Sequence, residues 1–203
     1  MAMAMSCVLV MGQAYEGKPF KYEVFNGTPQ EIPGKLYCAY YDLGGEGMAY
    51  HETTPENFGS GRLNPANGTI LNEFRINESV DVSYTKVGID DTPNNKVKPE
   101  MGLLYIGWTA PGEWLKYTVE VKQTGNYILN FLSSAEKDGA ISLSVDGKDA
   151  TGIIKIPTTT SPHIWNRLDG LTTLSLTKGK HVITLHTQEA GGMNYAWFDF
   201  ILQ

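Results

Sequence analysis

The chain has 203 residues, of which 41% are apolar and 19% charged, with a formal net charge of −6. That length suits one well-packed domain, and that composition belongs to a globular protein rather than a disordered one. Lys and Arg are outnumbered and nowhere clustered, so the footprint that neutralises phosphates is missing, which argues against a nucleic-acid partner or an anionic membrane surface.

Residues 1–14, MAMAMSCVLVMGQA, are apolar and end in small residues. They match the hydrophobic region and cleavage site of a secretory leader, although the basic start of such a leader is missing. A tag remnant and a buried first strand are the other readings of this segment. No other stretch nears the ~18 consecutive apolar residues of a membrane span. Residues 15–31 form an arm broken by Pro19 and Pro29, with Pro33 just beyond. Proline withholds ladder donors, so at most one edge strand is expected there. The two cysteines, Cys7 and Cys38, are too few for a disulfide framework and are expected to be free thiols.

From Leu36 onward, short strands alternate with turns. A section rich in Gly, Asn and Pro runs from Gly44 to Glu100; loops this long are usually functional or flexible. EWLKYTVEV places Leu115, Tyr117, Val119 and Val121 on one side, and Trp114, Lys116, Thr118 and Glu120 on the other. In GNYILNFLSS, Tyr127, Leu129 and Phe131 share a face, while Ile128 and Leu132 keep the opposite face from being polar. In AISLSVDGK, Ile141, Leu143 and Val145 alternate with serines before an Asp146-Gly147 hairpin turn. LTTLSL, GKHVITLHT and MNYAWFDFIL read as further strands, and no segment carries a capped helical period. Nine or ten strands at this spacing predict an all-β, single-domain β-sandwich or jelly roll.

Catalytic patterns are sparse. His51, His163, His181 and His186 show no metal-ligand spacing, and His181 and His186, five apart on one strand, point to opposite faces. Neither a nucleophile elbow nor a phosphate loop occurs. Glu52, Glu56, Glu113 and Glu189 could supply a carboxylate pair for glycoside hydrolysis only at a separation of ~5–10 Å, which spacing along the chain does not provide. Sugars present a C–H face that packs on aromatic rings and hydroxyls that need amide and carboxylate partners. The Tyr-, Trp- and Asn-rich loops contain both.

IPGKLYCAYYDLGGEGMAYHETTPENFGSG resembles the opening of a family 6 carbohydrate-binding module, I-P-G-x-I-E-A-E-D-Y-D, then G-G-E-G, then A-Y-H-D. IGWTAPGEWLKYTVEVKQTGNYILNF is similar to that family's G-[WY]-x-x-x-G-[ED]-W-x-x-Y-x-V followed by G-x-Y. VDGKDATGIIKIP, TKGKHVITL and NYAWFDF follow in the family's order, so the resemblance covers residues 32–203.

The resemblance implies a calcium-containing, galactose-binding-domain-like β-sandwich with jelly-roll topology. It also implies a non-catalytic monomer that binds a polysaccharide or oligosaccharide, accompanies a glycoside hydrolase, and is secreted, periplasmic or on the cell surface of a bacterium. In the family, two aromatic rings and an asparagine in the loops at one end hold the sugar. By position, Trp108 stands for the first ring and Asn194, three residues before Trp197, for the amide. Trp114 is expected to brace the sheet.

Two departures follow. IPTTTSPHIWNRL replaces V-P-x-T-G-G-W-x-x-[WY], with Pro162 at the stacking position and Trp165 at the later packing aromatic. The clasp is therefore one-sided, or His163 supplies its second wall. Tyr50 and Glu56, with His51 and Glu52, are candidate rim contacts. The family's calcium carboxylates fall at Tyr37, Ala39 and Ala196; Ala39 and Ala196 bring no side-chain oxygen, and the calcium is expected to be absent. Two alternatives stay open: a degenerate sandwich that packs against a catalytic domain, and a small jelly-roll hydrolase or lyase.

Overall fold

The computed structural model describes residues 15–22, 25–189 and 192–203, so the leader-like segment 1–14 and Cys7 lie outside the described residues. A small hairpin pairs β1 (Lys21–Tyr22) with β2 (Phe25–Asn26). Two larger sheets follow. The six-stranded sheet contains β4 (Gly34–Tyr37), β6 (Val82–Tyr84), β7 (Leu104–Ile106), β9 (Gly125–Ala135), β13 (Ser161–Leu176) and β15 (Met193–Leu202). Its order is β13-β9-β15-β7-β6, and β4 also pairs with β15. The seven-stranded sheet contains β3 (Gln30–Ile32), β5 (Tyr50–His51), β8 (Trp114–Val121), β10 (Gly139–Val145), β11 (Lys148–Asp149), β12 (Ile154–Ile156) and β14 (Gly179–Glu189). Its order is β11-β10-β14-β8-β3, with β12 on β10 and β5 on β8.

The long strands form where alternation predicts them. Leu115, Tyr117, Val119 and Val121 are buried, as are Tyr127, Leu129, Phe131, Ile141, Leu143, Ile183 and Leu185. Phe131 and Phe198 stack between the sheets with ring centroids 4.2 Å apart. A smaller cluster of Tyr105, Leu132, Trp165, Ala196 and Trp197 explains why one face of β9 is not polar. The Asp146-Gly147 turn has positive φ at both residues (50° and 76°), the mirror-image turn that suits a twisted hairpin.

The strand count exceeds nine or ten because two- to four-residue strands are too short to show a period. The arm is also better integrated than its prolines suggest. β3 joins the seven-stranded sheet as a parallel edge beside β8, Phe20 enters the core, and the Tyr15 hydroxyl donates to Asp42 at 2.6 Å. The Gly44–Glu100 section is pinned by the buried Arg75 guanidinium, which donates to the Tyr41 and Asp42 carbonyls, pairs with Glu78 at 2.8 Å and lies over the Tyr41 ring. Cys38 is buried and free, and burial pushes its thiol up.

Candidate functional site

Four neighbouring strands of the six-stranded sheet bring their ends to one edge. β7 leads into Trp108, β15 starts beside Asn194, β9 runs into Glu136, and β13 begins at Pro162 and His163. With Leu63, Tyr105 and Gly192 these residues line a cleft of about 300 Å³. The structure thus gathers Trp108, Asn194 and His163, three residues singled out from the sequence, from points far apart in the chain.

Trp108 has a left-handed backbone (φ 49°) and a side chain left 44% exposed. A bulky residue there is strained, and such strain persists only where the surroundings over-determine it. Here the Gly107 N–H donates to the Asp81 carbonyl at 2.9 Å, and the Thr109 hydroxyl donates to the Met193 carbonyl at 3.0 Å. Glu113 completes the turn by accepting from the Ala110 N–H at 2.7 Å and from the Thr53 hydroxyl at 2.7 Å. The ring is held out to solvent by its neighbours.

Asn194 is buried at 5% exposure. Its amide donates to the Ser134 hydroxyl at 3.1 Å and to the Pro162 carbonyl at 2.7 Å, tying three strands together. Both amide hydrogens are therefore committed, and Oδ1 remains as an acceptor. A Cβ on Gly107 would lie 3.0 Å from that oxygen, so glycine is what lets the Trp108 loop approach. The β-bulge between Tyr195 and Trp197 bends β15 next to this residue. On the opposite wall, His163 Nδ1 lies 3.0 Å from the buried Asp90 carboxylate, which also accepts from the Trp165 indole at 3.0 Å and the Lys86 N–H at 2.8 Å. The imidazole is thereby fixed in orientation, with Nε2 directed away from that contact.

Two other expected contacts lie elsewhere. Tyr50 is a correction: at 4% exposure it is buried edge-on against Tyr41, because β5 pairs with β8 and turns the ring into the core. Glu56 does not line the cleft, and its carboxylate pairs with Arg62. His51 meets Glu46 at 2.5 Å. Trp114 stays on the outer side of its strand, under the Lys116 ammonium at 4.8 Å. There it borders a second concavity of about 490 Å³ on the open face of the seven-stranded sheet, with Ser144, Thr184, His186 and Gln188.

The acids Glu52 and Glu113 do come together, but in a cavity of about 10 Å³, too small for a sugar ring. Burial, then the adjoining Glu113 charge, pushes the Glu52 carboxyl up to about 10. Burial likewise pushes Asp81 up to about 6, against the opposing pull of the Phe58 N–H.

The model of the carbohydrate binding module (family 6) matches residues 78–201. The chain belongs to that family. No curated protein sequence matches it. Among solved structures it is similar to the family 6 module CsCBM6-3 from Clostridium stercorarium, in complex with cellobiose. That pair shares 14% identity over 87% of this chain and 99% of that one, with a TM-score of 0.54. A β-1,3-glucan binding family 6 module from Bacillus halodurans gives 15% identity, 86% and 99% coverage and a TM-score of 0.53. The family 43 arabinoxylan arabinofuranohydrolase from Bacillus subtilis, complexed with cellotetraose, gives 10% identity and 0.53 over 88% of this chain and 30% of that one. At these identities the likeness is one of fold, a two-sheet β-sandwich.

The resemblance places the family's calcium carboxylates at Tyr37, Ala39 and Ala196. Ala39 and Ala196 are buried and carry no donor. The carbonyls of Tyr37 and Tyr40 accept from the Gln30 side-chain amide at 3.3 and 3.4 Å, and Gln30 Oε1 accepts from the Tyr37 N–H at 2.8 Å. A carboxamide thus fills the hydrogen-bonding role around this turn. Among the described residues, no group of three or more His, Cys, Asp or Glu is placed to hold a metal. Glu136, Leu63 and Tyr105 were not foreseen as cleft residues, and no local pattern singles them out.

Proposed function

We propose that the module binds polysaccharide in the loop-end cleft, with Trp108 as the platform, Asn194 Oδ1 as a hydroxyl acceptor and His163 as the facing wall. The observation that carries this reading is the tryptophan held exposed in a strained backbone at the mouth of a cleft. The module works as a monomer outside a bacterial cell, secreted, periplasmic or at the surface. It keeps an attached or partner glycoside hydrolase close to its substrate, so its benefit is effective concentration rather than chemistry. It needs no structural calcium.

Affinity electrophoresis against xylan, β-glucans, agarose and mannans tests the binding. Retardation by at least one polymer, abolished in W108A, is the expected result. Absence of retardation in the wild type and W108A alike, across the panel, would refute the reading.

A further inference from the structure

The polar lining of the cleft has one charge character. Glu136 stands on its wall above Gly192, where an added Cβ would lie 3.2 Å from the carboxylate. Among the described residues this carboxylate has no hydrogen-bond or ion-pair partner, unlike Glu56 with Arg62, Asp169 with Arg167 and Glu189 with Lys155. Of the other polar side chains, Asn194 supplies an acceptor, whereas the Trp108 indole N–H is a donor. Asn194 has spent both amide hydrogens and keeps Oδ1. Nδ1 of His163 is held against Asp90, which leaves Nε2 outside that contact. No Lys or Arg lines the cleft.

We infer that Glu136 is the charge-selecting residue of this cleft, and that its preferred ligand is an amine-bearing sugar polymer of the glucosamine class. The inference rests on the reading of the cleft as the sugar site. An ammonium group brings three donors to a lining whose acceptors include Glu136 and Asn194 Oδ1. It ion-pairs with the otherwise unpartnered Glu136, and a cation over the exposed Trp108 face gains further attraction. A neutral sugar satisfies the same acceptors through its hydroxyls but forgoes the charge pairing. A uronate or sulfate would meet the like charge of Glu136, with no Lys or Arg on the lining to compensate its lost hydration.

The test uses three oligosaccharides with one β-1,4-linked backbone: a cello-oligosaccharide, its 2-amino counterpart (a chitosan oligosaccharide) and its C6-oxidised counterpart. Calorimetric titration at low salt, below the pKa of the amine, compares the wild type, E136Q and W108A. Thermal melts of each variant establish that it is folded, and E136A serves as a second neutral variant. The wild type is expected to rank the ligands amine over neutral over oxidised. The amine should lead by roughly two- to fivefold, the range of a solvent-exposed ion pair. That lead should shrink with added salt and disappear in E136Q and E136A, whereas W108A should weaken every ligand. An unchanged ranking in both Glu136 variants would overturn charge selection while leaving the cleft as the sugar site. Failure of the wild type to bind the amino oligosaccharide would also overturn the inference, whatever the neutral polysaccharide panel shows.

Discussion

Replacing Glu52 by glutamine should stabilise the module at neutral and alkaline pH and flatten its pH dependence. In the folded chain, burial beside Glu113 lifts the Glu52 carboxyl from 4.5 to about 10. The unfolded chain releases that proton near the ordinary value, so between the two the native state holds one proton more. A raised folded pKa gives stability that is fully present below the unfolded value and is lost as pH rises toward the folded one. The full slope is about 1.4 kcal/mol per pH unit. Glu52 is only partly buried, so solvation reduces this to roughly half to the whole of that figure. For a chain of this size that is roughly 2–5 °C in Tm per pH unit. Asp81 contributes with the same sign, but its window closes at about 6. Melts followed by circular dichroism from about pH 7 to about pH 8, below the range in which the buried Cys38 thiol adds a slope of the same sign, therefore isolate Glu52. Glutamine offers Glu113 the hydrogen bond a protonated carboxyl would, without a proton to lose. The wild-type Tm should fall across this window and the E52Q Tm should stay level and end higher. Parallel curves would refute the assignment of this slope to Glu52.

At Trp108, glycine and alanine both remove the ring, but alanine keeps a Cβ in the left-handed region. W108G should exceed W108A in stability by about 1 kcal/mol in a denaturant titration, and a more stable W108A would contradict the strain assigned to φ 49°. N194A should cost about 1–3 kcal/mol by leaving its buried partners unsatisfied, and N194D should cost as much, because a carboxylate cannot donate to the Pro162 carbonyl. Chelator should leave the melting temperature unchanged, whereas Q30A should lower stability by about 1 kcal/mol. A drop with chelator in the wild type would show a bound ion instead.

The long strands were legible because one face of each is buried, and burial of one face writes a two-residue period into the sequence. The short strands β3 to β7 were not, since two to four residues carry no period. Tyr50 illustrates the cost: in a glycine-rich section it reads as a loop aromatic, and only its pairing with β8 turns it inward. Trp108, Asn194 and His163 could be picked out because several motifs recur in a fixed order. Glu136 could not, because it enters the cleft only through the way β9 ends beside β15. Glu113 could be read as a loop-fixing residue, but its partner Thr53, sixty residues away, was hidden.

The weave of the cleft floor sets its dimensions. Trp108 and His163 extend from β7 and β13, which stand three places apart in one sheet. At the usual strand spacing their backbones are about 14 Å apart. Ladder hydrogen bonds between these strands, and the Asn194 amide laid across them, keep that span constant. A change at position 162 or 163 therefore alters what the far wall is made of, not where it stands. The frame behaves as a socket of constant gauge in which facing surfaces can be exchanged, and installing a ring at Pro162 would convert a one-sided platform into a two-sided grip without rebuilding the sandwich.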